Sequence, residues 1–161
     1  MNVGQICKRN AVTVRPSDEL NQAAKLMKDQ HVGYLVVVKQ ASPKAILKPV
    51  GVLTGRDIAV AVVASGVDPS TLTVADVMTS DPVLAHTTDE IEESLPRMRK
   101  AAVRRVPVVG SRGELIGILS FDDIFDTIAD NLRNIMGAIR DDKPVDPALL
   151  GVPGDRAPHR L

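Results

Sequence analysis

The sequence predicts an α/β (α+β) fold, two tandem β-α-β-β-α motifs packed with pseudo-twofold symmetry into one domain, and three observations carry that expectation. The first is a repeat. Gly51-Val52-Leu53-Thr54-Gly55-Arg56-Asp57 returns as Gly117-Ile118-Leu119-Ser120-Phe121-Asp122-Asp123. Val12, Asp18-Glu19-Leu20, Met27, Val32 and Val37-Val38 likewise return as Val83, Asp89-Glu90-Ile91, Met98, Val103 and Val108-Val109, an offset of 71 residues. The offset falls to 66 at the glycine pair because the first copy carries five more residues between Val38 and Gly51. The second observation is a pair of short β-branched runs in each copy, and the third is apolar spacing of helical period between strands. A unit present twice is one that buries its apolar face against its copy, so the halves are expected to enclose a cleft.

Within the first copy, Val12 opens a strand. Leu20, Ala23, Ala24, Met27 and His31 follow at helical spacing, with Ser17 as the expected N-cap and Asp18 and Glu19 in the first turn. Tyr34 to Val38 and Val50 to Thr54 read as two paired strands, and Gly55 to Ala64 as a helix that stops at Gly66. The second copy repeats the order from Val83, with Thr87 and Glu90 at capping-box spacing. Pro96 falls inside its first helix, where the missing N–H and the ring clash predict a kink. The last helix outruns its counterpart, since Ile124, Ile128, Leu132, Ile135, Met136 and Ile139 extend one apolar face. The expected division is therefore a first motif over 1–70, a second with its long helix over 71–142, and a disordered tail over 143–161, where Pro144, Pro147, Pro153 and Pro158 accumulate.

Composition narrows the function. Twenty basic residues balance twenty acidic ones over 161 residues, so no overall field draws the protein to a polyanion or an anionic membrane. Cys7 is the sole cysteine, which excludes an internal disulfide and a cysteine-rich zinc site; it takes the place of Met78 in the repeat, so a packing role is expected. His31, His86 and His159 share no ligand spacing, and no metal is expected. No leader peptide and no apolar run of membrane length is evident, and a reducing cytoplasm is the expected location.

The repeated Gly-x-x-(Thr/Ser)-x-x-Asp is the strongest site signal. Its hydroxyl closes a strand and its acid falls in the first helical turn, where unpaired N–H groups suit a phosphate and a carboxylate suits a ribose diol. The structural alternative is that Thr54 and Ser120 are N-caps, with Asp57 and Asp123 as acids favoured by the helix dipole.

With these motifs in hand, the chain resembles a cystathionine-β-synthase (CBS) domain pair over about residues 3 to 130. Met78-Thr79 to Pro82-Val83 matches the family's "MT-x-x-P-V", Arg104-Arg105-Val106-Pro107-Val108-Val109 its "R-R-h-P-V-V", and both Gly-x-x-(Thr/Ser)-x-x-Asp segments match as well. The resemblance implies adenosine-containing ligands held by Thr54 and Asp57 in one cleft and by Ser120 and Asp123 in the other. It also implies adenine contacts from Val12, Val83 and the stretches around Tyr34 and Arg105. Arg104 and Arg105 lie where related proteins place phosphate-binding groups. Arg56 precedes Asp57, whereas Asp122 precedes Asp123 and would repel a phosphate, so the Thr54, Arg56, Asp57 cleft is the expected nucleotide site.

The function expected is that of a non-enzymatic sensor in which an adenine nucleotide (AMP, ADP or ATP) is a regulatory ligand and no cofactor is required. A homodimer joined through the helices and a regulated protein partner are expected with it. The rivals are an interaction scaffold with vestigial clefts, and a nucleic-acid binder using the basic cluster from Arg97 to Arg105.

Overall fold

The computed structural model describes residues 1–140, with elements in the order α1 (Val3–Ile6), β1 (Thr13–Val14), α2 (Leu20–Asp29), β2 (Tyr34–Lys39), β3 (Lys48–Thr54), α3 (Gly55–Ala59), α4 (Val74–Val77), β4 (Thr79–Ser80), β5 (Ala85–His86), α5 (Ile91–Lys100), β6 (Arg105–Val109), β7 (Leu115–Ser120) and α6 (Phe121–Arg140). A π-helical turn, Val60–Ala64, continues α3 and ends ahead of Gly66, whose φ of 64° lies in the left-handed region that stops a helix readily only at glycine. Contacts group Met1–Asp126, which holds both copies, into one compact unit, and a second begins at Thr127.

Each copy builds one sheet. β1 runs parallel to β2, and β2 is antiparallel to β3 with Leu35 opposite Leu53; β5 is parallel to β6, and β6 is antiparallel to β7 with Val106 opposite Leu119. Both hairpins are bulged at the repeat's Val-Val pair, between Val37 and Val38 and between Val108 and Val109. The repeat therefore extends to backbone irregularities, as equivalent side-chain patterns require. The first copy's extra residues lengthen the loop between Lys39 and Lys48.

The two sheets are joined by exchanged leaders. β4, which follows α4 in the leader of the second copy, pairs with β3 of the first, Val52 opposite Thr79. Reciprocally, Lys8 of the first copy exchanges N–H···O bonds of 2.9 Å in both directions with Ile118 of β7. α1 docks on the second copy through Val3 N–H to Asp89 C=O (2.9 Å), and α4 on the first through Val74 N–H to Asp18 C=O (2.8 Å).

These crossings account for the repeated glycine. A Cβ on Gly117 would lie 2.2 Å from the carbonyl oxygen of Lys8, and one on Gly51 would lie 2.8 Å from Met78 Sδ and 3.0 Å from the Thr79 carbonyl oxygen. Glycine is needed because another backbone passes over the strand.

One core lies in each half, around Leu20, Leu35, Leu53 and Val74 in the first and around Val3, Met98, Val106 and Leu119 in the second. Cys7 is buried in the second core, where burial pushes its thiol above the ordinary range; this is the packing position expected for it. A third cluster, Tyr34, Val36 and Val38 against Val52, Leu115 and Ile118, draws on both halves.

Several local expectations change. α2 starts at Leu20 behind Glu19, not at Ser17, because the Asp18 carboxylate accepts the Arg15 N–H at 2.7 Å and holds that segment in a turn. Ahead of α5 the capping box is Glu90 with Glu93 rather than Thr87 with Glu90, since the Asp89 carboxylate accepts the His86 N–H at 3.0 Å and uses the preceding residues. Pro96 lies inside α5, which continues through it to Lys100, so the proline does not end the helix. The expected tail over 143–161 lies outside the described residues.

Candidate functional site

Both Gly-x-x-(Thr/Ser)-x-x-Asp segments fold as reciprocal caps. Thr54 Oγ1 accepts the Asp57 N–H at 3.1 Å, while Asp57 Oδ2 accepts the Thr54 N–H at 2.8 Å and its hydroxyl at 2.7 Å. In the second copy Ser120 Oγ accepts the Asp123 N–H and Asp123 Oδ2 accepts the Ser120 N–H, both at 3.2 Å; the Ser120 hydroxyl also donates to Asp123 Oδ2. The capping alternative is therefore met at both places. In both copies the cap engages Oδ2, and the second carboxylate oxygen is Oδ1.

That oxygen has different surroundings in the two copies. Asp123 is buried, and its Oδ1 lies 2.7 Å from Lys8 Nζ, contributed by the leader that crosses β7. Burial by itself would raise the Asp123 carboxyl, but hydrogen bonds and charge from Lys8 and Ser120 outweigh it and hold the group below its ordinary value. The repeat places Thr79 where Lys8 stands, so among the described residues the first copy has no equivalent ion pair.

A cavity of about 290 Å³ opens beside Asp123, at the lower limit of small-molecule sites. The first copy supplies Lys8, Asn10, Val12 and His31 to Tyr34, and the second supplies Arg105, Ile118, Ser120, Asp122 and Asp123. Five of the residues named from sequence thus meet in one cleft: Val12, Tyr34, Arg105, Ser120 and Asp123. Thr54, Arg56, Asp57, Val83 and Arg104 do not line it. Val83 packs on the second core, and Arg104 borders a separate, mainly apolar cavity of about 1120 Å³ with Leu95, Met98, Val103 and Phe121.

Two of the lining residues, Tyr34 and Asp122, bear on the character of the cleft. The Tyr34 hydroxyl is buried without a hydrogen-bond partner among the described residues, and burial pushes its phenol well above the ordinary range despite the positive charge of Arg105. A buried hydroxyl left unpaired costs about 1–3 kcal/mol. Asp122, expected to repel a phosphate here, lines the cleft and stands 3.8 Å from the Arg105 guanidinium at its rim. The sequence reading missed Lys8, Asn10 and Ile118 as cleft residues. The one signal for Lys8 was its alignment with Thr79, directly behind the recognised Met78.

Among the described residues, no group of three or more His, Cys, Asp or Glu is placed to hold a metal ion, and no helix is long and apolar enough to cross a membrane.

The family model for the CBS domain matches residues 3–64 and 74–130, one stretch for each copy. The chain is 31% identical over 125 residues to the uncharacterized protein MK0525 of Methanopyrus kandleri, covering 77% of this chain and 61% of that relative's length. It is 36% identical over 112 residues to the CBS domain-containing protein YhcV of Bacillus subtilis, covering 70% and 74%. Among solved structures, the CBS domain protein PAE2072 from Pyrobaculum aerophilum, complexed with AMP, superposes with a TM-score of 0.67 at 28% identity, covering 76% of this chain and 89% of that one. The two sheets, their exchanged leaders and the duplicated motif are those of a tandem repeat, and the chain belongs to the CBS domain family.

Proposed function

We propose that the protein is a non-enzymatic regulatory module that binds an adenosine-containing ligand, AMP, ADP or ATP, in the Ser120–Asp123 cleft. The observation that carries this is the convergence of both copies on one cavity beside a buried carboxylate, with the cations Lys8 and Arg105 lining it. Acceptors for a diol and donors for a phosphate are thereby available in the same small space. The likeness to a CBS domain protein complexed with AMP supports the ligand class. A ligand bridging the copies would act as a signal by favouring one arrangement of the two halves over another.

The module is further proposed to work as a homodimer, joined by α6, and to pass its occupancy to a protein partner. Phe125, Leu132, Ile135, Met136 and Ile139 on that helix are each more than half exposed, an apolar stripe of the kind that self-association covers.

Thermal-shift measurements with AMP, ADP, ATP, NAD and S-adenosylmethionine test the ligand reading. An adenine nucleotide at about 100 times its Kd should stabilise the protein by about 2.7 kcal/mol. No shift with any of the five at millimolar concentration would refute it.

A further inference from the structure

We propose that Lys8 is a switchable cation that gives the Ser120–Asp123 cleft its preference for a phosphorylated over an unphosphorylated nucleoside. It pairs with Asp123 and turns to the phosphate when a nucleotide enters. This inference rests on the adenosine-ligand reading and extends it to one residue and one part of the ligand.

The two ends of the ion pair differ in freedom. The Asp123 side chain is 6% exposed and fixed through Oδ2 by the Ser120 N–H and hydroxyl, whereas the Lys8 side chain is 66% exposed and reaches Oδ1 from the solvent side. The Lys8 backbone is pinned in both directions to Ile118, so a change of partner is confined to its flexible stem. Of the two carboxylate oxygens, Oδ1 is the one the Ser120 cap does not use, and Lys8 pairs with it where a ribose diol would approach. A nucleoside therefore enters only by sharing or breaking that ion pair, with nothing to replace it. A nucleotide brings its own anion, and an ammonium with three donors can follow the phosphate while Asp123 turns to the diol. Arg105, the other strong cation lining the cavity, stands 3.8 Å from Asp122 at the rim.

Calorimetric titration of adenosine and AMP into the wild type, Lys8→Met and Lys8→Arg tests the proposal, with melting curves as a check on folding. The wild type should bind AMP about tenfold or more tightly than adenosine. Lys8→Met should bring the two affinities within about twofold, by weakening AMP while leaving adenosine equal or tighter, and Lys8→Arg should keep the preference. Equal loss of both ligands in Lys8→Met, or an unchanged ratio, overturns the role of Lys8 while leaving the adenosine reading intact. Failure of the wild type to bind either ligand overturns both.

Discussion

Lys8 and Asp123 join the two halves of the molecule: the ammonium of the first copy's leader lies 2.7 Å from the carboxylate that caps α6 in the second. The carboxyl is held below its ordinary value of 3.8, and this fixes the sign of its pH dependence. A lowered folded-state value contributes stability that is present above the unfolded value and is lost as the pH falls through the folded one. Asp123→Asn should therefore be less stable than the wild type at neutral pH and should lose less stability on acidification below about pH 4. Urea denaturation at several pH values measures the difference, and parallel pH profiles for the two proteins would show that Asp123 is not an acid-linked contact.

The glycines beneath the leader crossings should be unequal. Gly117→Ala drives a methyl group against the Lys8 carbonyl, and backbone cannot move aside without breaking the paired hydrogen bonds to Ile118. Gly51→Ala meets first the flexible end of Met78. Overpacking costs of about 1–3 kcal/mol are expected for Gly117→Ala, with a smaller cost for Gly51→Ala. Denaturant midpoints decide the order, and a Gly117→Ala protein as stable as the wild type would contradict the reported crossing.

Replacing Leu132 and Ile135 together by Glu should dissociate the proposed dimer. Both residues are 57% exposed, so the change is tolerated in a lone chain but places charges in any contact they make, at several kcal/mol each. Light scattering should find a dimer for the wild type and a monomer for the variant. A wild-type monomer, or a variant dimer, would remove α6 as the interface.

Much of this organisation is legible in the sequence, and the missing parts share a cause. The paired strands, the Gly66 stop and the double Thr54/Ser120 caps follow from period, punctuation and spacing, all local properties. The four-residue helices α1 and α4 were missed because they are shorter than any window in which a period is visible, although Asn2 with Gln5 and Thr73 with Asp76 carry their capping boxes. The leader exchange is a long-range pairing, and with it went Lys8, whose importance depends on a crossing that brings it beside a residue more than a hundred positions away. Charge along the chain is likewise only part of the field: the sequence shows Asp122 beside Asp123, and the fold adds Arg105 at 3.8 Å from Asp122.

The measurement that tests the central claim most directly is calorimetric titration of AMP into the wild type, Asp123→Ala and Asp57→Ala, with melting curves to confirm that each variant folds. The cavity gathers both copies beside Asp123, and Asp57 does not line it. Loss of hydrogen bonds to a charged acceptor costs about 1.5–3 kcal/mol, so Asp123→Ala should weaken AMP by about tenfold or more, whereas Asp57→Ala should leave binding in the Ser120–Asp123 cleft unchanged. AMP binding that survives Asp123→Ala and is lost in Asp57→Ala would contradict the account and move the site to the first copy's cap.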